Sequence, residues 1–322
     1  MTKIIYQGQS FDCGENESVL EALTAGGGAV PSSCKAGICQ TCLMRVIKGE
    51  VPEESRKGLK PTLAAQGYFL ACSCHPGEDI EVALPEHGAG RLSARVLGIE
   101  PLNADIASVK LAPARPLEYQ AGQFINFFKD EMTARSFSLA SVPGLDDDLE
   151  LHVRRIPGGE VSPWIHGLSA GDVVDISEAA GDCFYLPGNP DQGLLLIGTG
   201  SGLAPLYGIV KDALLQGHTG PIRLYHGSLN VAGLYLVDEL REIAAAHPNF
   251  SYAPCVSEEK APDGVRDGIV LDVALDDVPD LSGWRVYLCG NPAMVNAAKT
   301  KTFLAGASMQ NIYADPFLPA NA

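Results

Sequence analysis

At 322 residues the chain is longer than one hydrophobic core usually organises, so two or three domains are expected. Hydrophobic residues at 46% with charged residues at 19% exclude a disordered or fibrous protein. A formal net charge of -16 excludes the basic footprint that a nucleic-acid backbone requires.

The opening stretch "MTKIIYQGQSFDCG" has no apolar core and no small-residue cleavage site, so a cytoplasmic location is expected. Residues 1–87 then read as short strands around one helix: Ile4 to Tyr6, Phe11 to Cys13, and the helical spacing of "ESVLEALTAGGG" with its glycine stop. From 88 to 187 the pattern becomes strand-length runs separated by Gly, Pro and Asp turns, among them "LSARVLGIEPL", "IASVKLAP", "FINFF", "SFSLASV", "LELHVRRI" and "DVVDIS". These predict an antiparallel barrel or sandwich. From 188 to 322 the buried strand-like runs "GLLLIG", "PIRLYHGS", "FSYAPCV" and "WRVYLCG" alternate with helical stretches such as "GLAPLYGIVKDALLQ" and "LYLVDELREIAAAH", which predicts a parallel α/β sheet. Linkers are expected at "LPEHGAGRL" (84–92) and "LPGNPDQG" (186–193). The longest uncharged stretch, 193–210, is interrupted by glycines and Pro205, so it reads as strand, turn and helix rather than as a membrane span.

Nine cysteines without an export signal point to metal binding or catalysis rather than to disulfides. Three of them, Cys34, Cys39 and Cys42, stand at the spacing C-x4-C-x2-C in "SSCKAGICQTC". Thiolates are soft ligands, and a 2Fe-2S cluster takes four from a loop that wraps it closely. Gly37 permits that approach, and the fourth sulfur comes from "YFLACSCHP", as Cys72 or Cys74. Zinc sites usually join two C-x2-C pairs, which this three-plus-one pattern does not. Here the chain resembles plant-type ferredoxin domains, and "LAC" matches their last ligand, which implies Cys72. Gln40 stands where such relatives often carry Gly, and Cys13, Cys183 and Cys255 are expected to pack as small hydrophobes.

A cluster moves one electron at a time, whereas nicotinamide delivers a hydride, so a flavin is the part to look for. "AGQF" (121–124), "RSFS" (135–138) and "PGGEVS" (157–162) follow in order, and at these residues the chain resembles the ferredoxin-NADP reductase superfamily. The resemblance implies that Arg135, Ser136, Phe137 and Ser138 contact FAD: Arg135 at the pyrophosphate and Ser138 near the hydride-accepting nitrogen. Phe137 departs from the usual Tyr. Gly158, Gly159 and Ser162 would open a helix whose free N–H groups bind phosphate.

"LLLIGTGSGLAP" is an apolar strand entering a Gly-rich turn and a helix, a geometry that presents N–H groups to a pyrophosphate through Gly198, Thr199, Gly200 and Gly202. "CGNPAM" (289–294) resembles the ending of the same superfamily's last core strand, which implies Cys289 beside the nicotinamide and Gly290 allowing its approach. The tail "IYADPFLP" resembles that family's C-terminal ending, making Asp315 and Phe317 candidates at the flavin face. Ser228 and Leu229 occupy the place where NADPH-using relatives carry an arginine, so NADH is the expected donor.

Together these resemblances imply a β-grasp (α+β) ferredoxin domain over 1–87, an antiparallel β-barrel flavin domain over 88–187, and an α/β Rossmann-like nicotinamide domain over 188–322. They imply a reductase component passing electrons from NADH through FAD and the cluster to a terminal oxygenase of Rieske or di-iron type. Nucleic acid and membrane are not expected as partners. Other readings are a reductase for an iron-sulfur deoxysugar dehydratase or a haem-thiolate monooxygenase, and, in another class, a non-catalytic redox carrier or sensor.

Overall fold

The computed structural model describes residues 2–32, 40, 42–85, 91–130 and 133–317. The chain divides into two compact units, Met1–His87 and Gly88–Ala322.

In the first unit, β1 (Thr2–Tyr6) and β2 (Gln9–Cys13) form a hairpin that turns at Gln7 and Gly8, both in the left-handed region. α1 (Val19–Ala25) starts where Ser18 and Glu21 cap each other: the Ser18 hydroxyl accepts from the Glu21 N–H, and the Glu21 carboxylate accepts from the Ser18 N–H at 2.9 Å. A helix this short is not stable alone, so burial of Val19, Leu20, Ala22 and Leu23 against the sheet holds it. β3 (Leu43–Lys48), α2 (Pro61–Ala65), β4 (Tyr68–Leu70) and β5 (Ile80–Ala83) complete a sheet of order β2-β1-β5-β3-β4. Only β1 and β5 pair in parallel, which is the β-grasp arrangement, with Ile4, Leu23, Met44 and Phe69 at its centre.

The second unit begins with β6 (Arg91–Pro101), β7 (Ile106–Pro113), β8 (Phe124–Phe128), β9 (Ala134–Ser138), β10 (Leu149–Arg154), the short α3 (Val161–Ile165) and β11 (Val173–Ser177). Their sheet is antiparallel throughout, in the order β10-β7-β6-β11-β8-β9, and a bridge between Leu139 and Leu151 joins the two edges into a barrel. Closure removes the exposed edges of the sheet. Inward residues such as Val109, Ile125, Phe127, Leu151 and Ile176 fill the interior.

The chain continues through β12 (Leu194–Thr199), α4 (Leu203–Leu215), β13 (Ile222–Ser228), α5 (Val237–Ala246), β14 (Phe250–Val256), β15 (Arg266–Asp267), α6 (Val270–Asp277), β16 (Arg285–Gly290), α7 (Pro292–Leu304) and β17 (Ile312–Pro316). All six strands are parallel, in the order β15-β14-β13-β12-β16-β17, and the direction of winding reverses between β12 and β16. That reversal opens a crevice at the carboxyl ends of the strands. α5 starts three residues later than its helical pattern suggests, because Leu236 sits at a φ of 54° and interrupts the run. None of the described helices is long and apolar enough to cross a membrane.

Candidate functional site

In the first unit, β3 and β4 run antiparallel with Leu43 opposite Leu70, and the Ala71 N–H donates to the Cys42 carbonyl at 3.0 Å. This ladder sets Cys42 beside Cys72, and the two thiols interact. Burial pushes the Cys42 thiol up to about 11; the Cys72 main-chain N–H opposes that rise and the Cys72 sulfur adds to it. Cys74 lies apart from this pair. It is fully buried, bonds the Ser55 hydroxyl, lies near Cys13, and is pushed up to about 12 by burial. Two adjacent sulfurs on neighbouring strand ends suit a cluster that takes four thiolates. Cys34 and Cys39 fall outside the described residues.

In the second unit, the barrel and the parallel sheet converge on the carboxyl end of β16. The Ser138 hydroxyl, ending β9, donates to Asp315 Oδ2 at 3.1 Å. The register of β16 and β17 sets Asp315 opposite Cys289. Burial pushes the Asp315 carboxyl above its usual range, the Ser138 hydrogen bond opposes this, and Asp182 adds to it. The Phe317 N–H donates to the Gly290 carbonyl at 2.8 Å, so both tail candidates are fastened to the strand that carries Cys289. Cys289 is fully buried, and burial holds its thiol well above the ordinary value; it forms a small neutral wall rather than a nucleophile. Cys183 packs as a small hydrophobe in the core, as expected, and in addition its Sγ lies 3.8 Å from Cys289 Sγ.

On β9, a guanidinium N–H of Arg135 donates to the Ala134 carbonyl at 2.6 Å, and the Ser136 hydroxyl donates to Asn126 at 2.8 Å. Phe137 packs edge-on against Phe127, a contact that uses the ring and needs no hydroxyl. Arg135 and Phe137 are half-exposed and share one face of the strand, while Ser136 is exposed on the other, so a cation and a ring stand together where a flavin nucleotide could lie. Gly158 has a φ of 74°, and the Ser162 hydroxyl accepts from the Ile156 N–H at 3.1 Å, closing the turn that leads into α3.

The Gly-rich turn is packed tightly. A Cβ on Gly202 would stand 2.4 Å from the Cys289 carbonyl, and one on Gly290 would stand 2.5 Å from the Thr199 carbonyl. A Cβ on Gly198 would meet Leu206 at 2.7 Å. These three glycines therefore bring α4 flush against the end of β16. Thr199 ties the two segments further by accepting from the Asn291 N–H at 3.0 Å. Gly200 has a φ of 54° and more space, with Arg154 Nη1 of β10 3.4 Å from where its Cβ would be. A cation from the barrel thus faces the turn suited to a pyrophosphate. Sequence reasoning missed Arg154; the available signal was a basic residue ending the strand after the flavin motif. Ser228 is half-buried against Gly233, and Leu229 beside it is exposed.

Three families match successive parts of the chain. Residues 3–77 match the 2Fe-2S iron-sulfur cluster binding domain, residues 95–185 the oxidoreductase FAD-binding domain, and residues 196–300 the oxidoreductase NAD-binding domain. The chain is 38% identical over 331 residues to the reductase subunit of an aromatic O-demethylase from an Amycolatopsis species, covering 98% of each. It is 34% identical over 316 residues to the ferredoxin–NAD(P)+ reductase component of a naphthalene 1,2-dioxygenase system from Pseudomonas putida, covering 96% of this chain and 95% of that one. Among solved structures, an Amycolatopsis cytochrome P450 reductase matches with a TM-score of 0.70 at 35% identity, covering 99% of this chain and 100% of that one.

Proposed function

The chain belongs to the reductase components of oxygenase systems, with domains for a 2Fe-2S cluster, FAD and NAD, and from that premise we propose that it oxidises NADH and delivers single electrons to a partner oxygenase. The observation that carries this reading is the convergence of Ser138, Asp315, Cys183 and Cys289 where the barrel meets the carboxyl end of β16. Bound flavin supplies the conversion of a two-electron hydride into the single electrons that a 2Fe-2S cluster accepts.

The residues of the chain bind, align and exclude water. Arg135 holds phosphate by charge-assisted hydrogen bonds, Ser136 and Phe137 line the nucleotide, and Gly158, Gly159 and Ser162 shape the turn that receives it. Ser138 and Asp315 form the polar side of the hydride path; Asp315, raised by burial, retains a proton to higher pH than an exposed carboxyl. Cys289 and Gly290 form the apolar side, with Phe317 fastened over them. Gly198, Thr199, Gly200 and Gly202 present the nicotinamide dinucleotide to Arg154, and Ser228 lies at its ribose end. Cys34, Cys39, Cys42 and Cys72 hold the cluster; Cys72 is favoured over Cys74 by its contact with Cys42.

Delivery to an oxygenase accords with a cytoplasmic protein. A haem-thiolate partner is a second reading beside a Rieske or di-iron one, supported by the likeness to the Amycolatopsis cytochrome P450 reductase. Anaerobic titration with NADH tests the proposal. Both the flavin and the cluster absorbance should bleach, and both should return when an oxidised partner oxygenase is added. A cluster that stays oxidised while the flavin bleaches would contradict it.

A further inference from the structure

A dinucleotide held by the turn after β12 lies across the carboxyl edge of the parallel sheet. With its nicotinamide end beside Cys289 on β16, its adenosine end falls on the opposite side, over the ends of β13 and β14. Two loops meet at that edge. After β13, the Asn230 side-chain oxygen accepts from the Gly233 N–H at 3.0 Å and closes the turn Val231–Gly233. After β14, the Glu258 N–H donates to the Leu229 carbonyl at 2.9 Å, which laces the loops together. The next residue, Glu259, places its carboxylate on the main-chain N–H of Val231.

This arrangement bears on a ribose 2'-phosphate in two ways. Recognising that phosphate takes a cation or free N–H groups. The Val231 N–H is already taken by a carboxylate, and the carboxylate carries the wrong charge. The arginines of neighbouring segments are otherwise engaged: Arg241 donates to the Gly264 carbonyl at 3.0 Å, and Arg266 grips both oxygens of Asp277 at 2.9 and 3.1 Å. Leu229, exposed beside them, offers no charge.

We propose that Glu259 is the residue that sets the choice of dinucleotide: its carboxylate accepts from the ribose hydroxyls of NADH and repels the 2'-phosphate of NADPH. The proposal deepens, and rests on, the reading of NADH as donor. The discriminating acid comes from the loop after β14, whereas dinucleotide-binding folds commonly place it after the second strand. The stretch "LYHGSLN" therefore lacks the arginine and does not contain the acid.

The test compares the full-length holoenzyme with its Glu259→Gln, Glu259→Asp and Lys260→Gln variants. It measures kcat/KM with NADH and NADPH, and separately the affinity for 5'-AMP and 2',5'-ADP by calorimetry. Glu259 is exposed, so its replacement should leave the fold intact. Glu259→Gln should raise kcat/KM with NADPH and tighten 2',5'-ADP by about tenfold each, while kcat/KM with NADH falls about threefold. Glu259→Asp should retain the preference for NADH, and Lys260→Gln should leave the ratio unchanged. If the wild type prefers NADH but Glu259→Gln changes neither ratio, Glu259 is not the determinant and the NADH reading stands. If the wild type uses NADPH as well as NADH, both fall.

Discussion

The Ser138 hydroxyl and Asp315 Oδ2, 177 positions apart in the chain, are joined by a 3.1 Å hydrogen bond that links β9 of the barrel to β17 of the parallel sheet. The bond matters because Asp315 is a half-buried carboxyl whose ionised form has Ser138 as a stabilising donor. Removing the donor with Ser138→Ala should push Asp315 further up and slow flavin reduction by NADH roughly 10- to 100-fold, as read by stopped-flow absorbance. An unchanged rate would exclude the pair from the hydride path.

Asp315 also predicts a pH dependence of stability. Its folded pKa lies above the unfolded 3.8, so the folded state binds the proton more tightly and loses stability as the pH rises from 3.8 through the folded value. Asp315→Asn should therefore flatten that part of the Tm–pH curve and leave Tm at pH 7 equal or higher. A large drop in Tm at pH 7 would show that the ionised carboxyl stabilises the fold instead.

Glu150 predicts the opposite sign. Burial alone would raise its pKa, but His152 and the Ser108 hydroxyl, which donates at 2.6 Å, outweigh burial and hold it at about 2. The stability this contributes is present above the unfolded value of 4.5 and is lost as the pH falls toward 2. Glu150→Gln should lower Tm at pH 7, by about 2–4 °C for each kcal/mol lost, and should narrow the difference from wild type as the pH is lowered from 5 to 3. A difference that stays constant over that range would rule out the linkage.

For the cluster, Cys72→Ser should lose iron and visible absorbance, whereas Cys74→Ser should keep both at a stability cost of about 1–3 kcal/mol, because a hydroxyl replaces a thiol in a fully buried position. Iron analysis and thermal melts separate the two variants. A normal cluster in the Cys72 variant would move the ligand to Cys74.

Much of the architecture was legible from local pattern. "IASVKLAP", "FINFF" and "FSYAPCV" are strands with the bounds their hydrophobic runs suggest, because each pairs on both sides and packs into a core. What was not legible depends on partners distant in sequence. The tail "IYADPFLP" carries two prolines and a charge, and only its pairing with β16 makes Ile312–Pro316 a strand. Cys183 lies 106 positions before Cys289, and no spacing rule announces their contact. Gly198, Gly202 and Gly290 also serve packing that the sequence did not announce: a Cβ on them would meet Leu206, Cys289 and Thr199 respectively.

Arg154 belongs with those unannounced neighbours. Its guanidinium stands beside Gly200, so Arg154→Ala should raise KM for NADH about tenfold with a smaller effect on kcat, since a phosphate contact made equally before and during the reaction changes binding more than turnover. Steady-state assays with ferricyanide as acceptor distinguish this from a loss confined to kcat.

The central claim is that electrons enter at the flavin and leave through the cluster. It is tested most directly by comparing the full chain with residues 88–322, the compact unit that lacks the cysteine loop. The shortened protein should still be reduced by NADH and pass electrons to ferricyanide at a rate close to that of the full chain, while cytochrome c reduction falls by about tenfold or more. Equal cytochrome c reduction by both proteins would mean that the cluster is not the exit.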